Sequence, residues 1–169
     1  MNADNSEIFE LKAALIVRYS PEDHLKLVSK LLNTNQPAEG EKELQALRLN
    51  APSFLPGILF EAGILERKGE YARAEATYKN AIVIDPSFAG SYFNLANLMY
   101  RTQRLEEAKK NYSKCTQLAP YFPDAWTNLG TTLEKLNDID GAILAHKQAI
   151  KIKPDFVLGH LNLGVALEG

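Results

Sequence analysis

The chain carries a proline every 34 residues, at Pro52, Pro86, Pro120 and Pro154. The segments between these prolines align without a gap and keep the same pattern of apolar and small residues. Repetition at a period of this length is typical of helical arrays, in which each unit packs mainly against its neighbours. The period therefore predicts an all-α fold and argues against an enzyme.

Each unit is predicted to form a helix, a turn and a second helix. Its apolar residues recur on one side of a helix with about 3.6 residues per turn, and the proline ends the second helix because it cannot continue one. Small side chains recur where two helices must approach closely, which is a packing pattern rather than a chemical one. At the eighth place of the unit these residues are Ala62, Ala96, Gly130 and Gly164.

The unit at residues 123–156 contains the segment 126–130, Trp-Thr-Asn-Leu-Gly, followed by Ala142, Ala149 and Pro154. This pattern resembles the tetratricopeptide repeat family, whose repeat has a Trp-x-x-Leu-Gly-x-x-Tyr opening, an Ala-x-x-x-Phe core and a closing proline. The resemblance implies a right-handed α-solenoid of stacked helix-turn-helix repeats. It covers about residues 21–169.

The resemblance also predicts how the chain is organised, as a single domain over residues 1–169. Its predicted parts are an N-terminal capping helix at 1–20, a degenerate repeat at 21–54, repeats at 55–88, 89–122 and 123–156, and the first helix of an incomplete repeat at 157–169.

Composition limits the possible partners. The 169 residues are 46% apolar and 24% charged, as in ordinary globular domains. A net charge of −2 gives no overall attraction to nucleic acid or to an anionic membrane. No apolar run approaches the roughly 20 residues that span a bilayer, and the N-terminus lacks a basic start with an apolar stretch. A cytoplasmic protein is the expectation.

Candidate catalytic residues are few. The single cysteine, Cys115, excludes an internal disulfide and occupies a place where neighbouring units have alanine, so it is expected to be a small buried side chain. His24, His146 and His160 all fall at packing places of the repeat. The sequence has no phosphate-binding glycine loop, no Cys-x-x-Cys and no nucleophile elbow. We therefore predict no enzyme activity, no metal and no cofactor.

Two outward-facing places of the unit predict a binding surface instead. The sixth place holds asparagine in three successive units, about 150° from the centre of the packing stripe, and the thirteenth place holds a cation. Stacked repeats turn these places into parallel rows along the inner wall of the groove that the family's fold implies. The predicted binding residues are Asn94, Asn97, Asn128 and Asn162, with Arg67, Arg101 and Lys135.

An asparagine row suits an extended ligand, because a side-chain amide both donates and accepts and so matches a peptide unit of any sequence. The row is similar to the asparagine ladder that lines the repeats of O-GlcNAc transferases, where the groove holds extended protein substrates. The cationic row would favour acidic stretches in the ligand. The alternatives are that asparagine is merely a tolerated exposed residue and that the cations form a solvated face.

One known mode of peptide binding in this family fits poorly. Domains that hold chaperone C-termini use a two-carboxylate clamp of asparagines and cations. The alignment provides Asn97 and Asn128, but Phe93, Leu158 and Asn162 stand where the three cations belong. Binding of chaperone tails is therefore not expected.

The favoured function is a non-catalytic module that binds an extended peptide or a partner protein in its concave groove. The final helix, residues 157–167, keeps the packing pattern but has no following helix to cover Leu163 and Leu167. Two alternatives follow. The chain could be the N-terminal, substrate-recruiting arm of a larger transferase, or a scaffold that self-associates through its C-terminal helix.

Overall fold

The computed structural model describes residues 3–168, and within this range the chain forms ten α-helices and no strand. The all-α class predicted from the period is confirmed. In chain order the helices are α1 (Ala3–Val17), α2 (Pro21–Asn33), α3 (Pro37–Asn50), α4 (Leu55–Arg67), α5 (Tyr71–Ile84), α6 (Ala89–Arg101), α7 (Leu105–Leu118), α8 (Pro123–Lys135), α9 (Ile139–Ile152) and α10 (Val157–Glu168).

The chain divides into two compact units. The first unit is Met1–Glu70 and contains α1 to α4, and the second unit is Tyr71–Gly169 and contains α5 to α10. The organisation predicted from the sequence, a single domain with an N-terminal capping helix followed by repeats, stays a prediction.

Left-handed residues shape the turn between paired helices. Gly69, Gln103 and Asn137, which are 34 residues apart, have φ angles of 77°, 61° and 63°. The residue after each one donates its backbone N–H to a carbonyl five residues earlier, as in Arg104 to Met99 at 2.9 Å. This is the Schellman arrangement that closes a helix and releases the chain into the next one. Glycine and asparagine adopt such angles readily, whereas Gln103 is strained.

The first unit has an apolar core assisted by ion pairs. Ile8 of α1 packs against Leu27 and Leu31 of α2. Lys12 of α1 also bonds Glu39 of α3 at 2.6 Å. The helix α1 is therefore held to its neighbours by both apolar and charged contacts.

A buried carboxylate interrupts the repeat pattern in the first unit. Glu61 occupies the seventh place, where the units on either side have leucine, and it is only 7% exposed. Its Oε1 accepts from Nη1 of Arg48 on α3 at 2.9 Å. The ion pair compensates for placing a charge at an apolar position.

A small and a large side chain pack against each other between two paired helices of the second unit. Gly130 of α8 faces the fully buried His146 of α9, and a Cβ atom added at Gly130 would lie 2.4 Å from Cε1 of that ring. Real Cβ atoms do not approach so closely, so the eighth place must stay small here, as the sequence predicted.

Within residues 3–168, no helix is both long and apolar enough to cross a membrane.

Candidate peptide-binding face

The asparagines of the sixth place lie on three helices of the second unit. Asn94 is on α6, Asn128 on α8 and Asn162 on α10, and all three side chains are half-buried. Asn128 and Asn162 each contact the preceding first helix. With Asn97 and Thr131 the three asparagines form a surface that we call the amide face.

A hydrogen-bonded network orients two of these amides. Oδ1 of Asn97 accepts from the hydroxyl of Tyr112 at 2.5 Å and from Nδ2 of Asn128 at 3.1 Å. Tyr112 is buried on α7, and burial raises the pKa of its hydroxyl, so it remains a donor at neutral pH. The Asn97 amide is thereby fixed with its carbonyl oxygen occupied and its nitrogen available to donate.

The same link recurs one repeat later with a different acceptor. Nδ2 of Asn162 donates to Oγ1 of Thr131 at 3.2 Å, and Thr131 stands 34 residues after Asn97. Each asparagine of α8 and α10 therefore donates to the ninth place of the preceding first helix. These bonds join α6 to α8 and α8 to α10, and they place the amide face across the first helices of three consecutive repeats.

Sequence reasoning identified the asparagines but missed the acceptor at the ninth place. The available signal was that Asn97 and Thr131 both carry an acceptor, whereas Gly63 at the same place does not. Among the described residues, the Asn94 side chain makes no hydrogen bond. Its donor and its acceptor are both available to a ligand.

The predicted cations are exposed and divide between the two units. Arg67 ends α4 in the first unit, while Arg101 and Lys135 end α6 and α8 in the second. Nζ of Lys135 lies 4.7 Å from the centroid of the Tyr100 ring. This cation–π contact holds the ammonium beside the amide face while leaving it accessible.

The last helix, α10, carries a row of exposed apolar side chains beside Asn162, which we call the α10 stripe. Leu158, Leu161 and Val165 are 47%, 62% and 60% exposed. Of the two side chains of α10 expected to lack a covering helix, Leu163 is half-buried and Leu167 is exposed. The stripe was missed because its members lie at the second, fifth and ninth places, outside the apolar pattern of the repeat.

Aromatic rings at the fourth place have a structural role. Each of these side chains donates a hydrogen bond to the backbone carbonyl oxygen of the proline six residues earlier. The donors are the Tyr92 hydroxyl at 3.1 Å, Trp126 Nε1 at 2.9 Å and His160 Nε2 at 2.8 Å. The bond ties the start of each helix to the preceding turn. Since a carbonyl only accepts, the ring of His160 must carry its proton on Nε2.

The other two histidines are buried against carboxylates. His24 is 3% exposed, with Nε2 3.0 Å from Oε2 of Glu43 and Nδ1 3.4 Å from the hydroxyl of Tyr19. His146 is fully buried, with Nε2 3.1 Å from Oε1 of Glu134. Both rings therefore pack and bond within the core rather than face a cleft.

Other candidate chemistry is structural as well. Cys115 is fully buried, and burial raises the pKa of its thiol to about 11. The thiolate is the reactive form, so this side chain is a packing residue, as predicted. Among the described residues, no group of three or more His, Cys, Asp or Glu side chains is placed to hold a metal ion.

Comparison with known proteins found three matching family models. The model described as TPR repeat matches residues 64–103, and two models described as Tetratricopeptide repeat match residues 89–122 and 123–156. Together they span residues 64–156, which is more than half of the 169 residues. No curated protein matches the chain.

Solved structures share the fold at low sequence identity. A crystal structure of MamA aligns with a TM-score of 0.75 at 21% identity, over 85% of this chain and 84% of that chain. MamA 41-end from Desulfovibrio magneticus RS-1 aligns at 0.74 and 16% identity, over 86% and 82%. The first TPR of Spaghetti (RPAP3), bound to the HSP90 peptide SRMEEVD, aligns at 0.64 and 15% identity, over 68% and 90%. The predicted α-solenoid is confirmed.

Proposed function

The chain belongs to the tetratricopeptide repeat family, and we propose that its second unit is a non-catalytic module that binds an extended peptide, or an extended segment of a partner protein, on the amide face. The observation that carries the proposal is the orientation of the asparagines. Bonds to neighbouring helices fix the amides of Asn97, Asn128 and Asn162 before any ligand arrives. Binding then costs little side-chain entropy.

The remaining hydrogen-bonding groups match a peptide backbone. Asn128 uses one N–H to reach Asn97 and keeps its side-chain carbonyl oxygen. Asn97 keeps both N–H groups, and Asn94 keeps the whole amide. A backbone N–H and C=O of the ligand can pair with these groups whatever the ligand's side chains are.

Affinity must come from several contacts together. Each backbone pairing contributes about 0.5–1.5 kcal/mol net. First helices that pack about 10 Å apart are separated by about three residues of an extended chain at 3.3 Å each. A peptide crossing α6, α8 and α10 would therefore meet one asparagine at about every third residue.

The comparisons support peptide binding in general and not a particular partner. The RPAP3 repeat was solved with a short peptide, so this fold can hold one. In the present chain, Phe93, Leu158 and Asn162 replace the cations of the carboxylate clamp, and we do not propose chaperone tails as ligands. A role as the recruiting arm of a transferase and a cytoplasmic location stay predictions.

Selection from a library of random peptides tests the proposal. The full chain is immobilised, and peptides about twelve residues long, enough to cross three helices, are enriched on it. We expect enrichment, and we expect the triple variant N94A/N128A/N162A to bind the enriched peptides at least tenfold more weakly, a loss of more than about 1.5 kcal/mol.

Two controls separate lost contacts from lost structure. Asn94→Ala removes an amide that has no bond to another described residue, and it should weaken binding about fivefold, or about 1 kcal/mol, with unchanged helicity. Asn80→Ala changes an exposed asparagine on α5 and should have no effect. Failure to enrich any peptide, or unchanged affinity of the triple variant, would contradict the proposal.

A further inference from the structure

Lys135 contacts the neighbouring first helix on the same side as Asn128 does. Nδ2 of Asn128 lies 3.1 Å from Oδ1 of Asn97 on α6, and Nζ of Lys135 lies 4.7 Å from the centroid of the Tyr100 ring, also on α6. Asn97 and Tyr100 are three residues apart and therefore share one side of α6. Asn128 and Lys135, seven residues apart, likewise share one side of α8. The cation therefore stands beside the amide face and not on another surface of the helix.

The positive charge of Lys135 is left for a partner outside the chain. Its side chain is exposed and makes no hydrogen bond or ion pair with another described residue. The two carboxylates nearest to it in the sequence are engaged elsewhere. Oε1 of Glu134 lies 3.1 Å from Nε2 of His146. Asp138 accepts from the backbone N–H of Gly141 at the start of α9, and α6 contains no aspartate or glutamate.

The two ends of α8 differ in charge. Asp124 is exposed at the N-terminal end, about 16 Å from Lys135 along the helix at 1.5 Å per residue. A ligand carboxylate is therefore attracted to the Lys135 end and repelled from the other. The contact with Tyr100 also restricts the lysine side chain, so that pairing with it costs less side-chain entropy than pairing with a freely moving lysine.

We propose, resting on the function proposed above, that Lys135 selects ligands with an acidic side chain within three residues of the one whose backbone pairs with Asn128, and that Tyr100 positions Lys135 for this task. Asn128 and Lys135 are about 10.5 Å apart along α8, and the residues that they contact on α6 are about 4.5 Å apart. A span of about 5–10 Å corresponds to two or three extended residues at 3.3 Å each.

The carboxylate in question belongs to a side chain and not to the end of the ligand. A peptide that pairs with Asn128 on α8 and with Asn162 on α10 continues past Lys135 in the chain direction or enters from beyond it. Its C-terminus therefore need not lie near the cation. This distinguishes the arrangement from a clamp that holds a terminal carboxylate.

The expected contribution to affinity is small and specific. An exposed ion pair changes an equilibrium by at most about fivefold and is weakened by salt. The asparagines would supply the affinity for the backbone, and Lys135 would decide which sequences bind best. The charge preference can therefore fail while backbone binding persists.

The test uses a peptide enriched in the library selection and made with an amidated C-terminus, so that only its side chains carry carboxylates. Replacing its acidic residue by the neutral amide should lower affinity about three- to fivefold at low salt and less at high salt. The same replacement should have no effect on binding to Lys135→Met. The control Lys147→Met removes an exposed charge of α9 and should keep the full effect.

A double-mutant cycle locates the acidic residue relative to Asn128. One backbone amide of the peptide at a time is replaced by an ester, and each peptide is measured against the unaltered chain and against Asn128→Ala. The ester whose effect disappears in Asn128→Ala marks the residue that pairs with this asparagine. We expect the acidic residue within three positions of it, and a larger separation would overturn the inference.

The role of Tyr100 has a matched pair of variants. Tyr100→Phe keeps an aromatic ring beside the ammonium and should keep the acid-to-amide effect. Tyr100→Leu removes the ring and should reduce that effect to less than about twofold, while the losses caused by the esters stay the same. Equal acid-to-amide effects in the two variants would overturn the positioning role of Tyr100.

The remaining outcomes separate this inference from the proposed function. Enriched peptides without a common acidic residue, or an acid-to-amide effect that persists in Lys135→Met, would overturn the inference and leave the proposed function standing. Binding that requires a free C-terminal carboxylate would overturn it as well, because the charge would then belong to the end of the ligand. If no peptide is enriched, both fail together.

Discussion

The helices of the two units are held together by different kinds of contact. In the second unit, Gly130 leaves room for the buried ring of His146, and amides link one first helix to the next. In the first unit, the seventh place holds the carboxylate of Glu61, which Arg48 neutralises. The family models begin at residue 64 and therefore match mainly the second unit.

The comparison teaches that the 34-residue period specifies helices more strongly than it specifies their contacts. The first unit keeps the helices although its contacts depart from the pattern, because an ion pair compensates for the buried charge. The second unit keeps the packing pattern, and we propose that its sixth and ninth places serve recognition.

The largest expected effect is the loss of stability when Gly130, which packs against His146 in the second unit, is replaced by a large residue. Gly130→Leu should lower the free energy of unfolding by about 3 kcal/mol, because the side chain would overlap His146. Urea denaturation followed by circular dichroism measures the change. Gly164→Leu at the same place of α10 is the matched control, since an added Cβ there meets nothing within 4 Å. Equal effects of the two substitutions would mean that the pair does not determine packing.

Two substitutions at the buried ion pair of the first unit should change the free energy of unfolding in opposite directions. Arg48→Ala leaves Glu61 buried without its partner and should cost about 1–3 kcal/mol of unfolding free energy. Glu61→Leu restores the residue found at this place in the neighbouring units and should be neutral or stabilising by about 1 kcal/mol. The same denaturation experiment measures both. A large loss of stability with Glu61→Leu would show that the ion pair is required rather than compensatory.

The smallest effect concerns the turns. Gln103→Gly should stabilise the second unit by about 0.5–1 kcal/mol, because its φ of 61° is strained for glutamine and relaxed for glycine. The reciprocal change Gly69→Ala in the first unit should destabilise by about 1 kcal/mol. Thermal unfolding measures both changes. If Gln103→Gly has no effect or destabilises, the turn at this position is not under strain.

The sequence predicted the helices and the family, because both depend on periodicity, whereas the role of the amide row in binding stays a prediction. It could not predict that Asn128 donates to Asn97, since that bond depends on which side chain stands at the ninth place of another helix. It also missed Glu61, because a buried charge follows no pattern of apolar residues. The α10 stripe was overlooked because Leu161 and Val165 lie at the fifth and ninth places, which hold threonine in α8.

The central claim is that the amide face recognises a peptide backbone. The most direct test measures the affinity of the full chain for an enriched peptide and for versions in which one backbone amide at a time is replaced by an ester, which removes a single N–H donor. We predict losses of about fivefold at positions about three residues apart, and little change between them. Equal affinities for all the ester peptides would contradict the claim.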